Sequence, residues 1–248
     1  MEERTMSKKG FLGGKNSNAY IVFYSAVMVT IVAVALAFTS LSLKDRQKAN
    51  ELNEKKDAIV ASLGLEKGSY DSVIEAYMIN AEGEVVSTDA NEAIQNLFDL
   101  KKCFASGQYP VFENKETKEV VVPLTGAGLW DEIWGYVAFQ SDMNTIKGAI
   151  FDHAGETPGL GAEIATPKYQ AQFAGKQIYQ DGQFVGIEIV KGGAPEGDIH
   201  AVDAVTGGTK TSDGLKNMIK DCLQNYDAFF KARVNGEAAE VVTTENAE

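Results

Sequence analysis

The chain has 248 residues, 23 Lys/Arg against 35 Asp/Glu, and a formal net charge of −12. Residues 1–56 carry nine Lys/Arg and five Asp/Glu, so a balance of +4 there leaves −16 for the remainder. Acidity of that order favours solubility and repels phosphate backbones, which excludes nucleic acid as a partner.

Residues 1–19 form a polar tail with Arg4, Lys8, Lys9 and Lys15. Residues 20–43 contain no charged side chain and are long enough to cross a bilayer's hydrocarbon core. An uncleaved anchor fits this stretch. A cleaved signal peptide is the rival, because Ala35-Leu36-Ala37 resembles a cleavage site, but the apolar run continues past it. Lys44, Arg46 and Lys48 follow the span, so the basic residues on its two sides barely separate the two orientations. The span lacks Asp, Glu, Lys, Arg and His, the usual marks of an ion pathway, and reads as an anchor alone.

Residues 44–64 give a helix with Leu52, Ile59, Val60 and Leu63 on one stripe and a stop at Gly64. A stalk and a helix packed on its own domain fit this stripe equally. A first hairpin joins Ala76-Tyr77-Met78-Ile79 to Val85-Val86 through the Glu82-Gly83 turn. The stretch from Leu97 to Phe104 suits helix or strand. A second hairpin joins Tyr109-Pro110-Val111-Phe112 to residues 119–124 around a charged turn. A glycine-rich turn at 125–128 then leads into an aromatic strand holding Trp130 and Trp134, whose default role is packing.

Residues 146–151 are a short apolar stretch. The turn Glu156-Thr157-Pro158-Gly159-Leu160-Gly161 follows, with Pro158 fixing φ and two glycines free to take unusual angles. His153 has no ligand constellation and reads as structural or solvated. Residues 167–173 look helical. A third hairpin pairs Gln177-Ile178-Tyr179 with a continuous strand at 184–190 across Asp181-Gly182. A last strand at 199–202 enters Asp203-Ala204-Val205-Thr206-Gly207-Gly208-Thr209-Lys210-Thr211. An N-cap region at Thr211-Ser212-Asp213 then opens an amphipathic helix over 212–230, with Leu215, Met218, Ile219, Cys222, Leu223, Tyr226, Phe229 and Phe230 on one face. A hydroxyl-rich glycine turn at a helix N-terminus suits an anion. Cys103 and Cys222 form no CxxC, so no zinc or iron–sulfur site follows. Cys222 reads as a small buried hydrophobe, and a Cys103–Cys222 disulfide is left open.

The 203–209 segment resembles the flavinylation motif, an Asp, two residues, Ser or Thr, Gly, Ala, Thr. In that family a flavin transferase moves FMN from FAD onto the last threonine as a phosphoester. By this resemblance the acid is Asp203, the hydroxyl Thr206, the glycine Gly207 and the acceptor Thr209, with Gly208 where the family has alanine. Residues 156–161 match a hallmark turn of the FMN-binding domain family without departure, and Gly128-Leu129-Trp130 resembles a second segment of it. The resemblance implies a covalent FMN on Thr209, held also by Asp203, Thr206, Gly207, Gly208, Lys210, Thr211, Glu156, Thr157, Gly159, Leu160, Gly161 and Trp130. Leu160 would lie against the flavin ring. Trp130 stays open between core packing and a wall of the pocket.

In this order, the anchor and these motifs resemble the C subunit of the sodium-translocating NADH:quinone reductase. The implied fold is α+β, antiparallel strands with flanking helices on one transmembrane helix. The implied layout is a cytoplasmic tail at 1–19, a span at 20–43, a juxtamembrane helix at 44–64, a flavin domain at 65–234 on the outer side of a bacterial inner membrane, and a flexible acidic tail at 235–248. The implied role is electron relay from NADH toward quinone, with the other subunits of the complex as partners and a flavin transferase acting in maturation. The G subunit of an Rnf-type ferredoxin:NAD complex, a stand-alone outer flavin reductase and an anchored non-redox sensor are the alternatives.

Overall fold

In a computed structural model, residues 18–236 are described. Apart from their two inner residues each, the expected tails at 1–19 and 235–248 lie outside that range. The chain divides into two compact units, residues 1–51 and 52–248.

The described part of the first unit belongs to helix α1 (Asn18–Ser62), one helix that runs through both the uncharged stretch and the helical stretch expected to continue from it. Ile21, Val22, Phe23, Val32, Leu36 and Phe38 on it are exposed. The hydroxyls of Thr30, Thr39 and Ser42 donate to the carbonyls four residues earlier, each at 2.8 Å, so these polar groups are satisfied within the helix.

The second unit is built on a six-stranded antiparallel sheet. Its strands are β1 (Ile74–Asn80), β2 (Val85–Ser87), β3 (Gln108–Asn114), β4 (Val120–Ala127), β5 (Glu132–Phe139) and β6 (Ile146–His153), in the order β2-β1-β3-β4-β5-β6. The first two hairpins stand where the sequence put them. β4 runs on through Gly126 and Ala127, so the turn shrinks to residues 128–131.

Both faces of the sheet are covered, which is why its strands read as apolar runs rather than clean alternations. On one face Ala76, Met78, Phe112, Val121, Tyr136 and Ala138 pack with Ile59, Val60 and Leu63 from the end of α1. The short helices α2 (Tyr70–Val73), α3 (Ala90–Gln95) and α4 (Leu100–Ala105) join them, so the ambiguous stretch at 97–104 resolves as helical turns. The α1 stripe therefore packs on its own domain. α1 closes with the paired bonds Leu65 N to Val60 O (3.0 Å) and Gly64 N to Ala61 O (2.9 Å), a Schellman ending.

On the opposite face Tyr77, Ile79, Val111, Val122, Leu124, Val137 and Phe139 meet helix α6 (Thr209–Asn225) and helix α7 (Asp227–Val234). Leu215, Met218, Ile219 and Leu223 of α6 are each at most 3% exposed, and burying each contributes about 1.5–3 kcal/mol. The expected single helix over 212–230 starts three residues earlier and is interrupted at Tyr226. That residue is fully buried, and its hydroxyl donates to the Pro110 carbonyl at 3.0 Å.

Helix α5 (Pro167–Gln170) and a following 3-10 turn cover the expected helical stretch at 167–173. The continuous strand expected at 184–190 is broken. Strands β7 (Tyr179–Gln180) and β8 (Gln183–Phe184) form the hairpin, but Val185 and Gly186 both donate to the Ile178 carbonyl and Gly186 takes φ +70°. The chain leaves the hairpin there. Strand β9 (Glu188–Val190) then pairs in parallel with strand β10 (Ala201–Asp203), a local exception to the antiparallel pattern. Cys103 and Cys222 are free thiols on opposite faces of the sheet, donating to the carbonyls of Gln108 and Thr125. The separation closes the disulfide option.

Candidate functional site

Three segments far apart in sequence meet at the start of α6. The first is the 204–208 turn. Gly207 takes φ +77°, and a Cβ there would sit 2.6 Å from Leu160 Cδ2, so this turn and the 156–161 turn lie in contact. Gly208 is the N-cap, with its would-be Cβ 2.9 Å from Val205 Cγ1 and 3.4 Å from Gly161 Cα. An alanine at 208 would have to push Val205 aside.

Thr209 is thus the first residue of α6, and it is exposed. The ladder begins with Ser212 N to Gly208 O at 2.8 Å, so the amides of Thr209, Lys210 and Thr211 precede it at the positive end of the helix dipole. Thr206 and Lys210 are also exposed. Thr211, expected in the N-cap region, lies inside the first turn at 1% exposure. The next residue, Ser212, was not singled out from sequence as a site residue. Its buried Oγ accepts from Val205 N at 3.0 Å and pins the turn to the helix.

The second segment is the 156–161 turn. Thr157 O accepts from Leu160 N (3.1 Å) and Ala162 N (3.2 Å), which fixes the loop. Thr157, Gly159 and Leu160 are exposed, while Glu156 points inward at 5% exposure. Its Oε2 accepts from Thr211 Oγ1 at 2.6 Å and its Oε1 from Trp130 N at 2.9 Å. The Glu156 amide donates to His153 Nδ1 at 3.2 Å. Burial works to raise the Glu156 pKa. The Thr211 hydroxyl and the backbone around Leu129, Trp130 and Asp131 outweigh it and hold the carboxyl below its ordinary value. Gly128 and Gly161 make the space: a Cβ at Gly128 would strike Oε1, and one at Gly161 would strike Oε2 and Thr211 Oγ1.

The third segment is the 128–131 turn. Trp130 is 70% exposed, not the core residue that is the default for tryptophan. With Leu129 (53%) and Leu160 (43%) it gives exposed apolar side chains at turns that touch the α6 start.

Asp203 behaves differently from its neighbours in the motif. Its Oδ1 accepts from Ala194 N at 2.8 Å and its own amide donates to Gln172 Oε1 at 3.0 Å, so it braces the 191–197 loop. A groove of about 520 Å³ runs beside it, lined by Gly159, Tyr169, Gln172, Asp203, Val205 and Thr206. A larger cavity of about 770 Å³, lined by Asn144, Tyr179, His200, Phe230 and Lys231 among others, touches none of the motif residues.

The FMN-binding domain family matches residues 128–224, a range that opens at the 128–131 turn and closes near the end of α6. The C subunit of the Na(+)-translocating NADH-quinone reductase of Vibrio anguillarum is 31% identical over 220 residues, covering 79% of this chain and 86% of that one. The chain belongs to the C-subunit family of Na(+)-translocating NADH-quinone reductases.

The C subunit of the Vibrio campbellii reductase is 32% identical, across 82% of this chain and 87% of its own. Among solved structures, the C subunit from Parabacteroides distasonis superposes with a TM-score of 0.69 at 39% identity, covering 76% of this chain and 96% of that one. The NqrC of Shewanella oneidensis gives 0.63 at 31% identity, covering 75% and 98%. Membership in this family, one component of an oxidoreductase complex, sets aside the Rnf-type G subunit and the stand-alone reductase. It also agrees with the α+β fold described above.

Proposed function

We propose that this chain is a membrane-anchored electron-transfer subunit that carries FMN as a phosphoester on Thr209. One observation carries the choice of residue. Of the three threonines at 203–211, Thr211 is buried and bonded to Glu156, while Thr209 combines exposure with the first position of α6. In the transfer, the Thr209 Oγ1–P bond forms and the pyrophosphate P–O bond of FAD breaks. AMP leaves with the bridging oxygen, and the hydroxyl proton passes to the transferase. The amides ahead of the α6 ladder suit the resulting phosphate.

Exposed Leu129, Trp130 and Leu160 fit the faces of a flat, largely apolar ring, and Gly207 lets the turn approach Leu160 closely. Bound FMN would supply one-electron redox chemistry between a donor in the complex and quinone. The protein's part is to fix the ring at the surface, within reach of the other subunits.

The uncharged stretch at 20–43, about 36 Å of helix at 1.5 Å per residue, supports the anchor. On this reading residues 1–19 face the cytoplasm, 44–64 leave the membrane, 65–234 form the flavin domain on the outer side, and 235–248 trail from it. Sodium passes through partner subunits, because this anchor holds no charged side chain.

Denaturing gels viewed under ultraviolet light test the attachment, with the chain produced in cells with and without a flavin transferase. The wild type and Thr206→Val should fluoresce only when the transferase is present, and Thr209→Val should stay dark. A fluorescent Thr209→Val band would overturn the assignment.

A further inference from the structure

We infer that Glu156 is a positioning residue, which ties the 128–131 turn to the first turn of α6 and so sets Trp130 and Thr209 at a fixed separation. This rests on the proposed role of Thr209.

Both carboxylate oxygens are committed inside the protein, one to the Trp130 amide and one to the Thr211 hydroxyl. At 5% exposure little of the side chain is left for a flavin to touch. A carboxylate is an acceptor only, and both neighbours donate, so the three groups match in chemistry, with the backbone at Leu129 and Asp131 adding to the hold. Charge-assisted bonds of this kind are short and strong, and the Thr211 contact is 2.6 Å. Gly128 and Gly161 flank the carboxylate where any larger residue would collide with it. The three segments that the flavin reading needs are thus joined through one side chain. Thr211 lies two residues after the acceptor, within the same helical turn.

The role depends on reach more than on charge, which separates it from a purely electrostatic one. Glu156→Gln keeps the length. Its oxygen can still accept from Trp130 N while its amide donates to Thr211 Oγ1. Glu156→Asp keeps the charge but loses a methylene and cannot span both donors. Thr211→Val removes the helix-side bond, and Thr211→Ser keeps it.

The test is the initial rate of FMN transfer from FAD to the full-length chain in detergent by a flavin transferase, followed by the visible absorption of the labelled product. Every variant is assayed below its own melting temperature. Displacement of the acceptor by about 1 Å should slow transfer in Thr211→Val and Glu156→Asp by on the order of tenfold to a hundredfold. Their flavin bands should also shift from the wild-type position, a change that lost stability alone does not produce. Thr211→Ser and Glu156→Gln should stay within about threefold of the wild type and keep its spectrum.

Should Thr211→Val fail to fold, the Glu156→Asp and Glu156→Gln pair decides. Folded Thr211→Val or Glu156→Asp labelled at the wild-type rate with the wild-type spectrum would overturn the inference. So would Glu156→Gln slower than Glu156→Asp. A wild type that takes no FMN at Thr209 removes the proposed function itself, and this inference with it.

Discussion

Gly161→Ala is the sharpest probe of the packing around Glu156. The added methyl would collide with Glu156 Oε2 and with Thr211 Oγ1. Neither atom can drift freely, because Oε2 is held at 2.6 Å from Oγ1 and the other carboxylate oxygen at 2.9 Å from Trp130 N. Relief therefore requires breaking one bond to a buried charge, which costs about 1.5–3 kcal/mol. Overpacking adds about 1–3 kcal/mol, for a loss of about 2.5–6 kcal/mol. In a domain of this size 1 kcal/mol moves the melting temperature by about 2–4 °C, so the midpoint should fall by at least ~5 °C.

Gly155→Ala is the control in the same loop, since a Cβ there would find only Asp131 Cβ at an ordinary 3.7 Å. Thermal melts followed by far-ultraviolet circular dichroism compare the two. A Gly161→Ala midpoint within ~2 °C of Gly155→Ala would refute the reasoning that the carboxylate has no room to yield.

Two further outcomes follow from burial and charge. Burial pushes the thiols of Cys103 and Cys222 up to about 11, so the native protein should resist a thiol reagent at neutral pH. Both should label once the chain is unfolded in denaturant. Rapid labelling of the native protein would contradict their placement on the two sides of the sheet. The folded pKa of Glu156 lies below its unfolded value of about 4.3, so its contribution is present above that pH and is lost as pH falls through the folded pKa. His153 and Asp131 are the titratable neighbours here, through the His153 ring nitrogen and the Asp131 backbone. Denaturant unfolding should show the wild type losing more stability than Glu156→Gln between about pH 7 and pH 3. Parallel losses in the two proteins would count against an ionised, hydrogen-bonded carboxylate.

Local patterns were legible in this sequence where one physical rule decided them. The 3–4 spacing from Leu215 to Phe230 announced a helix, and the Glu82-Gly83 and 113–118 turns announced hairpins. The start of α6 was not legible. Thr209 and Lys210 are polar and exposed, so they add nothing to an apolar periodicity, and the cap is a glycine without a side chain. The apolar alternation at 184–190 promised one strand, yet its partners change midway from β7 to β10.

For the site, spacing against a known motif singled out Thr209, which the structure leaves exposed at the first position of α6. The inward direction of Glu156 carried no such signal, because its partner Thr211 lies 55 residues away. Gly128 and Ser212 were missed as site residues for the same reason. What each glycine accommodates, and what each hydroxyl reaches, is set by contacts across the fold.

That 55-residue separation also makes the bond a non-local contact. The Glu156–Thr211 bond closes a loop that contains α5 and β10, so it needs long-range structure that local sequence does not supply. On the proposed function, a transferase that reads this turn by its shape would meet its substrate only once that loop has closed. The modified residue would then serve as a record that the chain had reached its native state.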